Sequence, residues 1–350
     1  MEKLTLNIDG REVSVDRGAT ILEAAKGAGV NIPTLCWLEK IHAIGACRMC
    51  LVEIQGQRAL QAACVMPAAH GMVVKTNTAK LYRLRKTTVE LLLSDHPNDC
   101  MTCIGTGDCK LQELAYAYGI RENRFQGAMR DHNRVDVNPF ITREQNKCVM
   151  CGLCVRVCEE VQGVGAIGYA ERGFEAKVIP PFGHDLKCEF CGQCVSVCPT
   201  GALSGRLWSG KPRMAGVKFT DTTCTYCGCG CNITLRSTGD QVIRIDSKSD
   251  SHNRGWLCVK GRFGFEFINS ADRLTTPLIR RQKGGEFEQA TWDEAYDYVA
   301  KRLSEIKDKH GADALGGLCS ARCTNEENYL FQKMFRARIG TNNVDHCARY

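Results

Sequence analysis

The sequence has no apolar run approaching the roughly 18 residues that a membrane-spanning helix needs. Its first residues, MEKLTLNIDGREV, contain no apolar signal segment and no twin-arginine pair. No Gly-rich loop with Rossmann or P-loop spacing stands between a strand and a helix. These absences argue against a membrane protein, a secreted protein and a nucleotide-binding dehydrogenase domain, and they predict a cytoplasmic location.

Cysteine is the residue present in excess, with 23 among 350 residues. In a reducing compartment so many cysteines indicate metal ligands or redox sites, and the odd count argues further against complete disulfide pairing. The formal charge of +7 suggests an acidic partner. However, thiolate-bound iron–sulfur clusters are net anionic and would offset this charge. We therefore predict no nucleic-acid partner.

The amino-terminal half is divided into blocks. Residues 1–78 begin with two short strands around Asp9-Gly10 and a helix that Thr20 caps, which predicts a β-grasp-like ferredoxin domain. Residues 79–125 have a helical pattern that Pro97 breaks. Residues 138–208 contain an internal repeat, because CVMCGLCVRVC and CEFCGQCVSVC, 40 positions apart, agree at 7 of 11 residues. Duplication of a ligand-bearing unit explains this repeat.

The carboxy-terminal part changes to an ordinary α/β pattern. Capping boxes at Thr291 and Thr324 predict two helices, and ALGGLCS between them predicts a buried strand. Helix, strand and helix are too little to complete a parallel sheet. We therefore expect apolar faces such as that of Leu315 and Leu318 to be uncovered.

The first block predicts a 2Fe-2S cluster. Its spacing is C-x10-C-x2-C-x13-C, which suits four thiolates on one small domain but differs from the plant-type ferredoxin spacing. A four-cysteine zinc site is the alternative. The candidate ligands are Cys36, Cys47, Cys50 and Cys64.

The second block reads H-x3-C-x2-C-x5-C, and these residue types can hold zinc or a 4Fe-4S cluster. The neighbouring cluster-like blocks favour iron. An imidazole ligand would change the cluster charge and hence its potential. The candidate ligands are His96, Cys100, Cys103 and Cys109.

The repeat makes the most specific prediction. Each half reads C-x2-C-x2-C-x3-C, the spacing of bacterial two-cluster ferredoxins, in which the fourth cysteine binds the other cluster. The second half ends in Cys198-Pro199, whereas the first half has Glu159 where the proline would stand. We predict two 4Fe-4S clusters, one held by Cys148, Cys151, Cys154 and Cys198 and the other by Cys188, Cys191, Cys194 and Cys158.

The last block reads C-x2-C-x3-C-x26-C and, taken alone, is a four-cysteine metal site of open identity, formed by Cys224, Cys227, Cys231 and Cys258. Lys260 follows it, either as an ordinary surface charge or as a cation that reaches a reduced cluster or an adjacent cofactor. We expect four further cysteines to be buried as small hydrophobic residues: Cys229, Cys319, Cys323 and Cys347. Five clusters in a row, without a flavin or nucleotide site, indicate an electron-transfer chain.

The order of the first three blocks resembles the amino-terminal half of iron-only hydrogenases and, less fully, the large iron–sulfur subunit of respiratory complex I. The last block with its following Val-Lys-Gly resembles the first domain of molybdopterin oxidoreductases, in particular cytoplasmic formate dehydrogenase alpha subunits. Residues 319–350 resemble the stretch by which those enzymes enter their bis-pterin domain. No hydrogenase active-site motif follows residue 200.

This resemblance implies a multidomain α+β iron–sulfur protein, in which residues 217–273 form a molybdopterin oxidoreductase 4Fe-4S domain and residues 274–350 a partial α/β domain. It implies a role for Lys260 in electron transfer between the last 4Fe-4S cluster and the pterin. It also implies bis-molybdopterin guanine dinucleotide with Mo or W, and chemistry on formate and CO2. The family has a metal-binding selenocysteine or cysteine just after the segment matching residues 345–350. We therefore expect a selenocysteine codon, read as a stop, directly after Tyr350 and no formate activity from the 350 residues alone.

The expected electron partner is a flavin-containing NAD(P)H-oxidising subunit, a hydrogenase module or ferredoxin. The alternative hypothesis is a stand-alone multi-cluster electron-transfer subunit of an NADH-linked or hydrogenase complex. A zinc-stabilised scaffold is a third possibility.

Overall fold

The computed structural model describes residues 3–39, 41–132, 138–208, 214 and 216–347. The chain forms two compact units, one comprising residues 1–218 and the other residues 219–350. Their folds are described separately below.

The first unit begins with a five-stranded mixed sheet of order β2-β1-β5-β3-β4. Its elements are β1 (Lys3–Ile8), β2 (Arg11–Asp16), α1 (Ile21–Gly27), β3 (Leu51–Ile54), β4 (Gln61–Ala62) and β5 (Val73–Lys75). Strands β1 and β2 form the predicted hairpin, with Asp9 and Gly10 at positive φ in its turn. Strands β1 and β5 are parallel. The β-grasp-like prediction is confirmed.

Helix α1 completes this domain by packing a fully buried face on the sheet. Thr20 caps the helix in a capping box with Glu23, which is worth about 1 kcal/mol. Ile21, Ala24 and Ala25 are fully buried in a core shared with the sheet. Because the helix is short, this burial rather than helix propensity holds it in place.

Two helices follow, α2 (Ala79–Ser94) and α3 (Lys110–Ala117). Thr78 caps α2, which ends before Pro97 as predicted. Buried Val89 of α2 packs with Leu111 and Leu114 of α3. The loop between the helices carries the second predicted ligand block.

The ferredoxin-like region is built from very short elements. They are β6 (Ile141–Arg143), α4 (Leu153–Arg156), β7 (Gly168–Ala170), β8 (Lys177–Ile179), α5 (Gln193–Ser196) and β9 (Leu203–Gly205). Strands β6 and β9 pair antiparallel, as do β7 and β8. A π-helical turn, Val157–Val161, continues α4. Each short helix begins directly after a Cys-Gly pair, so the elements serve mainly to place ligands.

The second unit contains a three-stranded sheet, two small strand pairs and two long helices. Its elements are β10 (Lys218–Thr223), β11 (Asn232–Thr238), β12 (Gln241–Asp246), α6 (Val259–Phe263), β13 (Leu278–Ile279), β14 (Glu288–Gln289), α7 (Trp292–His310), β15 (Gly317–Cys319), α8 (Asn325–Lys333) and β16 (Val344–His346). The order of the larger sheet is β10-β11-β12, and β15 and β16 are parallel. Both predicted capping boxes, at Thr291 and Thr324, are present.

The expectation for the strand in ALGGLCS is only half correct. Leu318 is 81 % exposed, as expected of an uncovered face. Leu315 is buried, because Phe335 and Ile339 of the π-helical turn after α8 pack on it. Phe335 of that turn lies 20 residues after Leu315, so no local sequence pattern predicts this contact. Among the helices of the described residues, none has the length and apolarity to cross a membrane.

Candidate iron–sulfur sites

Four cysteines of the amino-terminal domain lie together in space. Cys36 and Cys47 belong to the long loop between α1 and β3, Cys50 precedes β3, and Cys64 follows β4. The sulfur atoms of Cys50 and Cys64 are 3.4 Å apart. The sulfur of Cys36 interacts with those of Cys47 and Cys64. The backbone N–H of Cys47 also donates to Cys36 Sγ across 3.4 Å, so the loop curls around the sulfur group.

Hydrogen bonds among these sulfur atoms lower the pKa values of two of the cysteines and raise those of the other two. Bonds from the Cys47 and Cys64 side chains lower the pKa of Cys36 to about 2, and the bond from Cys64 lowers the pKa of Cys50 to about 7. The same bonds raise the pKa values of Cys47 and Cys64. The group therefore provides thiolates at neutral pH, which is the form that binds iron.

The second block lies at the loop between α2 and α3, where Cys103 and Cys109 are buried and Cys100 is half-buried. His96 is buried, and its Nδ1 has no hydrogen-bond partner among the described residues. Burial lowers the pKa of His96, so the ring is neutral and able to act as a ligand. Burial raises the pKa of Cys109, to which negative charge on Cys103 and Cys100 adds. The three sulfurs are thus within electrostatic range of one another.

Two cavities in the ferredoxin-like region are lined by cysteines from both halves of the repeat. The cysteines in the wall of the first cavity are Cys148, Cys151, Cys154 and Cys198. The cysteines in the wall of the second are Cys188, Cys191, Cys194 and Cys158. Each cavity therefore combines three cysteines of one half with the fourth cysteine of the other half, which is the arrangement expected from the sequence.

The two halves repeat in backbone geometry as well as in sequence. Met150 and Phe190 have φ values of +52° and +51°, and Gly152 and Gly192 have φ values of +69° and +72°. The backbone N–H of Met150 donates to Cys148 Sγ at 3.4 Å. The N–H of Phe190 donates to Cys188 Sγ at 3.3 Å. Such N–H donors stabilise negative charge on cluster sulfur.

Among the cysteines that line these cavities, Cys151 and Cys154 are buried and the others are half-buried. Burial raises the pKa values of Cys151 and Cys194 to about 12. It also raises the pKa of Cys154 well above the ordinary value of a thiol. A thiol in such a place gives up its proton when a cation replaces it, so binding of metal and loss of the proton are coupled.

The three ligand regions of the first unit adjoin one another. Cys36 and Cys47 pack in one apolar cluster with Cys151. Cys47 also packs in a second apolar cluster with Cys109. On the other side, the N–H of Lys110 donates to the Pro199 carbonyl at 2.8 Å. The amino-terminal sulfur group thus lies beside both its neighbours.

The second unit places its four predicted ligands around the start of α6. Cys258 is the N-cap residue of α6, and Cys224 lies after β10, with its N–H bonded to the Cys231 carbonyl at 2.8 Å. Negative charge on Cys258 and on Cys227 adds to the effect of burial in raising the pKa of Cys224. Lys260 is exposed on the first turn of α6.

The expectation that the four remaining cysteines are buried is wrong. Cys229, Cys323 and Cys347 are exposed, and Cys319 is half-buried. They lie in loops or at strand ends, where the backbone is at the surface. Cys229 also interacts with the side chain of Cys227, so it stands beside a predicted ligand.

The residues present fit iron–sulfur clusters by three criteria: the cysteines in the walls of two cavities, backbone N–H groups directed at sulfur, and an orphaned buried nitrogen on His96. Within the described ranges, no group of three His, Cys, Asp or Glu side chains has the geometry to hold a single metal ion. In the amino-terminal group the sulfur atoms contact one another in succession, Cys47 with Cys36, Cys36 with Cys64, and Cys64 with Cys50.

Two buried arginines beside the ligand loops were not identified from the sequence. Arg156 stands between Cys154 and Cys158, and Arg85 belongs to α2; they are 6 % and 5 % exposed. A signal for Arg156 was available, because it is one of four mismatches between the two repeats, where the other half has Ser196. Arg85 had no such signal.

Models of five protein families match the chain in succession. They are a 2Fe-2S iron–sulfur cluster binding domain (1–79), an NADH-ubiquinone oxidoreductase-G iron–sulfur binding region (85–124), an NADH-quinone oxidoreductase subunit 3 ferredoxin-like domain (138–204), a molybdopterin oxidoreductase Fe4S4 domain (217–270) and molybdopterin oxidoreductase (273–350). The multidomain fold class expected from the sequence is confirmed.

The chain is 41% identical over 348 residues to NADPH-Fe(3+) oxidoreductase subunit alpha of Geobacter sulfurreducens, covering 99% of this chain and 40% of that protein. It is 41% identical over 350 residues to an NADH-quinone oxidoreductase subunit of Rhizobium meliloti, with coverage of 99% and 40%. It is 31% identical over 392 residues to a Staphylococcus aureus protein named "Putative formate dehydrogenase", with coverage of 100% and 39%. The chain thus spans about two fifths of the length of these relatives.

Among solved structures, a chain of an NAD+-reducing [NiFe]-hydrogenase in the H2-reduced state matches with a TM-score of 0.54 and 34% identity, covering 58% of this chain and 87% of that one. The chain therefore combines 2Fe-2S, 4Fe-4S and ferredoxin-like iron–sulfur domains with molybdopterin oxidoreductase domains.

Proposed function

We propose that this chain is the iron–sulfur electron-transfer portion of a formate dehydrogenase or CO2 reductase catalytic subunit. The observation that supports it most is the pair of cavities in which cysteines of the two repeats are exchanged. A single ferredoxin half cannot produce this exchange, which is the known signature of two clusters held close together. The clusters would supply one-electron transfer, and the chain supplies their ligands, burial and hydrogen bonds.

The proposal assigns one 2Fe-2S cluster and four 4Fe-4S clusters to the five ligand sets. The 2Fe-2S cluster belongs to the amino-terminal sulfur group, and His96 is the non-cysteine ligand of the next site. The first unit holds four of the five sets, and its apolar clusters place the amino-terminal sulfurs beside both neighbouring sets. Close spacing of this kind is what electron transfer between sites requires.

The finer assignment to formate rests on two supports. One is the relative named as a formate dehydrogenase. The other is the position of Lys260, exposed two residues after Cys258, where a cation can face both a cluster and an adjoining cofactor. Bis-molybdopterin guanine dinucleotide with Mo or W would supply the chemistry at formate. Lys260 would stabilise the negative charge that arrives with each electron.

A second candidate is an electron-transfer subunit of an NAD(P)H-linked or hydrogenase complex. The relatives at 41% identity carry NADPH and NADH in their names, and the matching structure is an NAD+-reducing hydrogenase. In both candidates the electron partner is a flavin-containing NAD(P)H-oxidising subunit, a hydrogenase module or ferredoxin, and the location is the cytoplasm.

The two candidates are separated by purifying anaerobically the product of the full-length gene, together with the chains that accompany it, and by following viologen reduction. Formate dehydrogenase activity predicts reduction with formate, which Lys260→Met slows at unchanged iron content. The NAD(P)H-linked candidate predicts reduction with NADH or NADPH and none with formate. Absence of formate-dependent reduction in a preparation that contains Mo or W would contradict the leading proposal.

The selenocysteine hypothesis concerns Tyr350, which lies outside the described residues. It is tested by the nucleotides that follow the Tyr350 codon. UGA followed in frame by a histidine codon and a long open frame supports a selenium-dependent formate dehydrogenase. UAA or UAG at that position contradicts it.

A further inference from the structure

Arg156 is a buried cation that joins two ligand loops distant in sequence. Its Nη2 donates to the Cys36 carbonyl at 2.6 Å and to the Cys151 carbonyl at 3.4 Å. Its Nη1 donates to the carbonyl of His42. Cys36 belongs to the amino-terminal sulfur group and Cys151 to the first ferredoxin-like cavity, so one guanidinium contacts the backbone of ligands from both sites.

The charge of Arg156 is not balanced by a direct ion pair. The carboxylate of Glu160 accepts the N–H of His42 on the same loop, but Glu160 is exposed, so solvent screens its charge. No Asp or Glu of the described residues lies within ion-pair distance of its guanidinium. The buried Nε also lacks a hydrogen-bond partner within this part of the chain. A guanidinium stays protonated inside proteins, and burying a charge without a counter-charge destabilises the fold. Negative charge must therefore come from another source nearby.

The amino-terminal sulfur group and the first ferredoxin-like cavity supply this negative charge once they hold clusters. Thiolate-bound clusters are net anionic, and reduction adds a further electron to each. We propose that Arg156 is the shared counter-charge of the 2Fe-2S cluster and of the 4Fe-4S cluster in the first ferredoxin-like cavity, and that it raises the reduction potentials of both. This inference rests on the ligand assignment in the proposed function.

The second repeat has no arginine at the position that corresponds to Arg156. Ser196 occupies the position that corresponds to Arg156, and its hydroxyl donates to the Gln193 carbonyl of its own helix at 2.8 Å. The cluster held by Cys188, Cys191 and Cys194 therefore lacks the charge that the first cluster has. The proposal makes the first cluster of the pair the more easily reduced.

Arg85 is a second buried arginine, whose contacts can be compared with those of Arg156. It is as deeply buried as Arg156 and donates to the Met49 carbonyl at 3.0 Å and to the Leu51 carbonyl at 2.8 Å. These two residues flank Cys50, a predicted ligand of the amino-terminal site, and neither lies in a ligand loop of the ferredoxin-like region. Loss of the Arg85 charge should therefore affect the 2Fe-2S potential and leave the 4Fe-4S cluster of the first ferredoxin-like cavity unchanged.

The test is an EPR-monitored redox titration of the purified, cluster-loaded protein carrying Arg156→Gln. The 2Fe-2S and 4Fe-4S signals are separated by the different temperatures at which they broaden. We expect both the 2Fe-2S signal and one 4Fe-4S signal to become harder to reduce, by about tenfold in the reduced-to-oxidised ratio, which is about 59 mV for a one-electron couple. Arg85→Gln should shift the 2Fe-2S signal and leave that 4Fe-4S signal unchanged.

Arg48→Gln is the matched control, because Arg48 lies in the same loop as Cys47 but is exposed, so solvent screens its charge. It should shift neither signal. Unchanged potentials in Arg156→Gln with full iron content, or a shift of only one signal, would overturn the proposal. If Arg156→Gln fails to bind iron, Arg156→Lys provides the test instead. Lysine keeps the positive charge, so both reduction potentials should match those of the wild-type protein. A tenfold change in the reduced-to-oxidised ratio of either cluster would contradict the proposal.

The wild-type titration tests the proposed function separately. Absence of any 2Fe-2S or 4Fe-4S signal in the wild-type protein would count against the ligand assignment. Normal wild-type signals that do not respond to Arg156→Gln would count against the role of Arg156 alone.

Discussion

Individual cysteines in this protein differ chiefly in burial and in their neighbours. Cys154 and Cys194 lie inside the ferredoxin-like region, where burial raises their pKa values, whereas Cys36 receives hydrogen bonds that lower its pKa. Cys347 is exposed and accepts the N–H of Ala321 at 3.3 Å, which lowers its pKa. Spacing in the sequence predicted the ligand sets but could not tell exposed cysteines from buried ones, because burial depends on segments far away in the chain.

His96 provides the first prediction at this scale. His96→Ala should remove one 4Fe-4S cluster, about four iron atoms per chain. His96→Cys should keep the iron but lower the potential of that cluster, because a thiolate adds a negative charge that the neutral imidazole lacks. Iron analysis and an EPR titration measure both effects. His70→Ala, at an exposed histidine, should change neither, and full iron content in His96→Ala would contradict the assignment.

The exchange of the fourth cysteines provides the second prediction. If Cys198 belongs with Cys151, the variant Cys151→Ser/Cys198→Ser should lose about four iron atoms, no more than Cys198→Ser alone. The variant Cys191→Ser/Cys198→Ser should lose about eight, because it affects both clusters. The reverse result, with the larger loss in the first variant, would show that each half of the repeat binds its own cluster.

At the scale of secondary-structure elements, the repeat uses two left-handed residues to turn the chain around each cavity. The sequence revealed the duplication, but not that Met150 and Phe190 share a positive φ with the glycines that follow. The sequence also did not reveal the hydrogen bond from Arg156 to the carbonyl of Cys36, 120 residues earlier in the chain. Ligand spacing is a local property set by the cluster, whereas such contacts depend on how separate domains pack, and a single sequence does not record them.

Gly152 gives a prediction at the scale of the element. Its φ is +69°, and a Cβ there would overlap the hydroxyl oxygen of Tyr169 on β7. Gly163 has a φ of +72° with open space around it, so Gly163→Ala should cost only about 1–2 kcal/mol for the left-handed conformation. Gly152→Ala should lower thermal stability and iron retention further.

Tyr169→Phe removes the overlapping oxygen and tests the cause of this difference. The double variant Gly152→Ala/Tyr169→Phe should recover most of the stability lost beyond that of Gly163→Ala, as measured by thermal denaturation. Equal stability of the Gly152→Ala and Gly163→Ala variants would show that contact with Tyr169 does not constrain the turn.

The whole molecule divides its ligand sets between its two compact units. The first unit contains four complete sets, and the second contains the fifth. We therefore predict that residues 1–218, expressed alone, retain about 14 iron atoms, the content of one 2Fe-2S and three 4Fe-4S clusters. The 2Fe-2S signal of this fragment should match that of the whole chain. Loss of the 2Fe-2S signal on removal of residues 219–350 would show that the first unit does not hold its 2Fe-2S cluster independently of the second.

The decisive measurement for the proposed chain of clusters is the metal and sulfide content of the anaerobically purified protein, combined with EPR of the reduced sample. Five loaded ligand sets predict a brown protein with about 18 iron atoms and about 18 acid-labile sulfides per chain, and both 2Fe-2S and 4Fe-4S signals. A colourless protein with stoichiometric zinc and no acid-labile sulfide would contradict this prediction, because the cysteine sets would then be structural sites rather than a path for electrons.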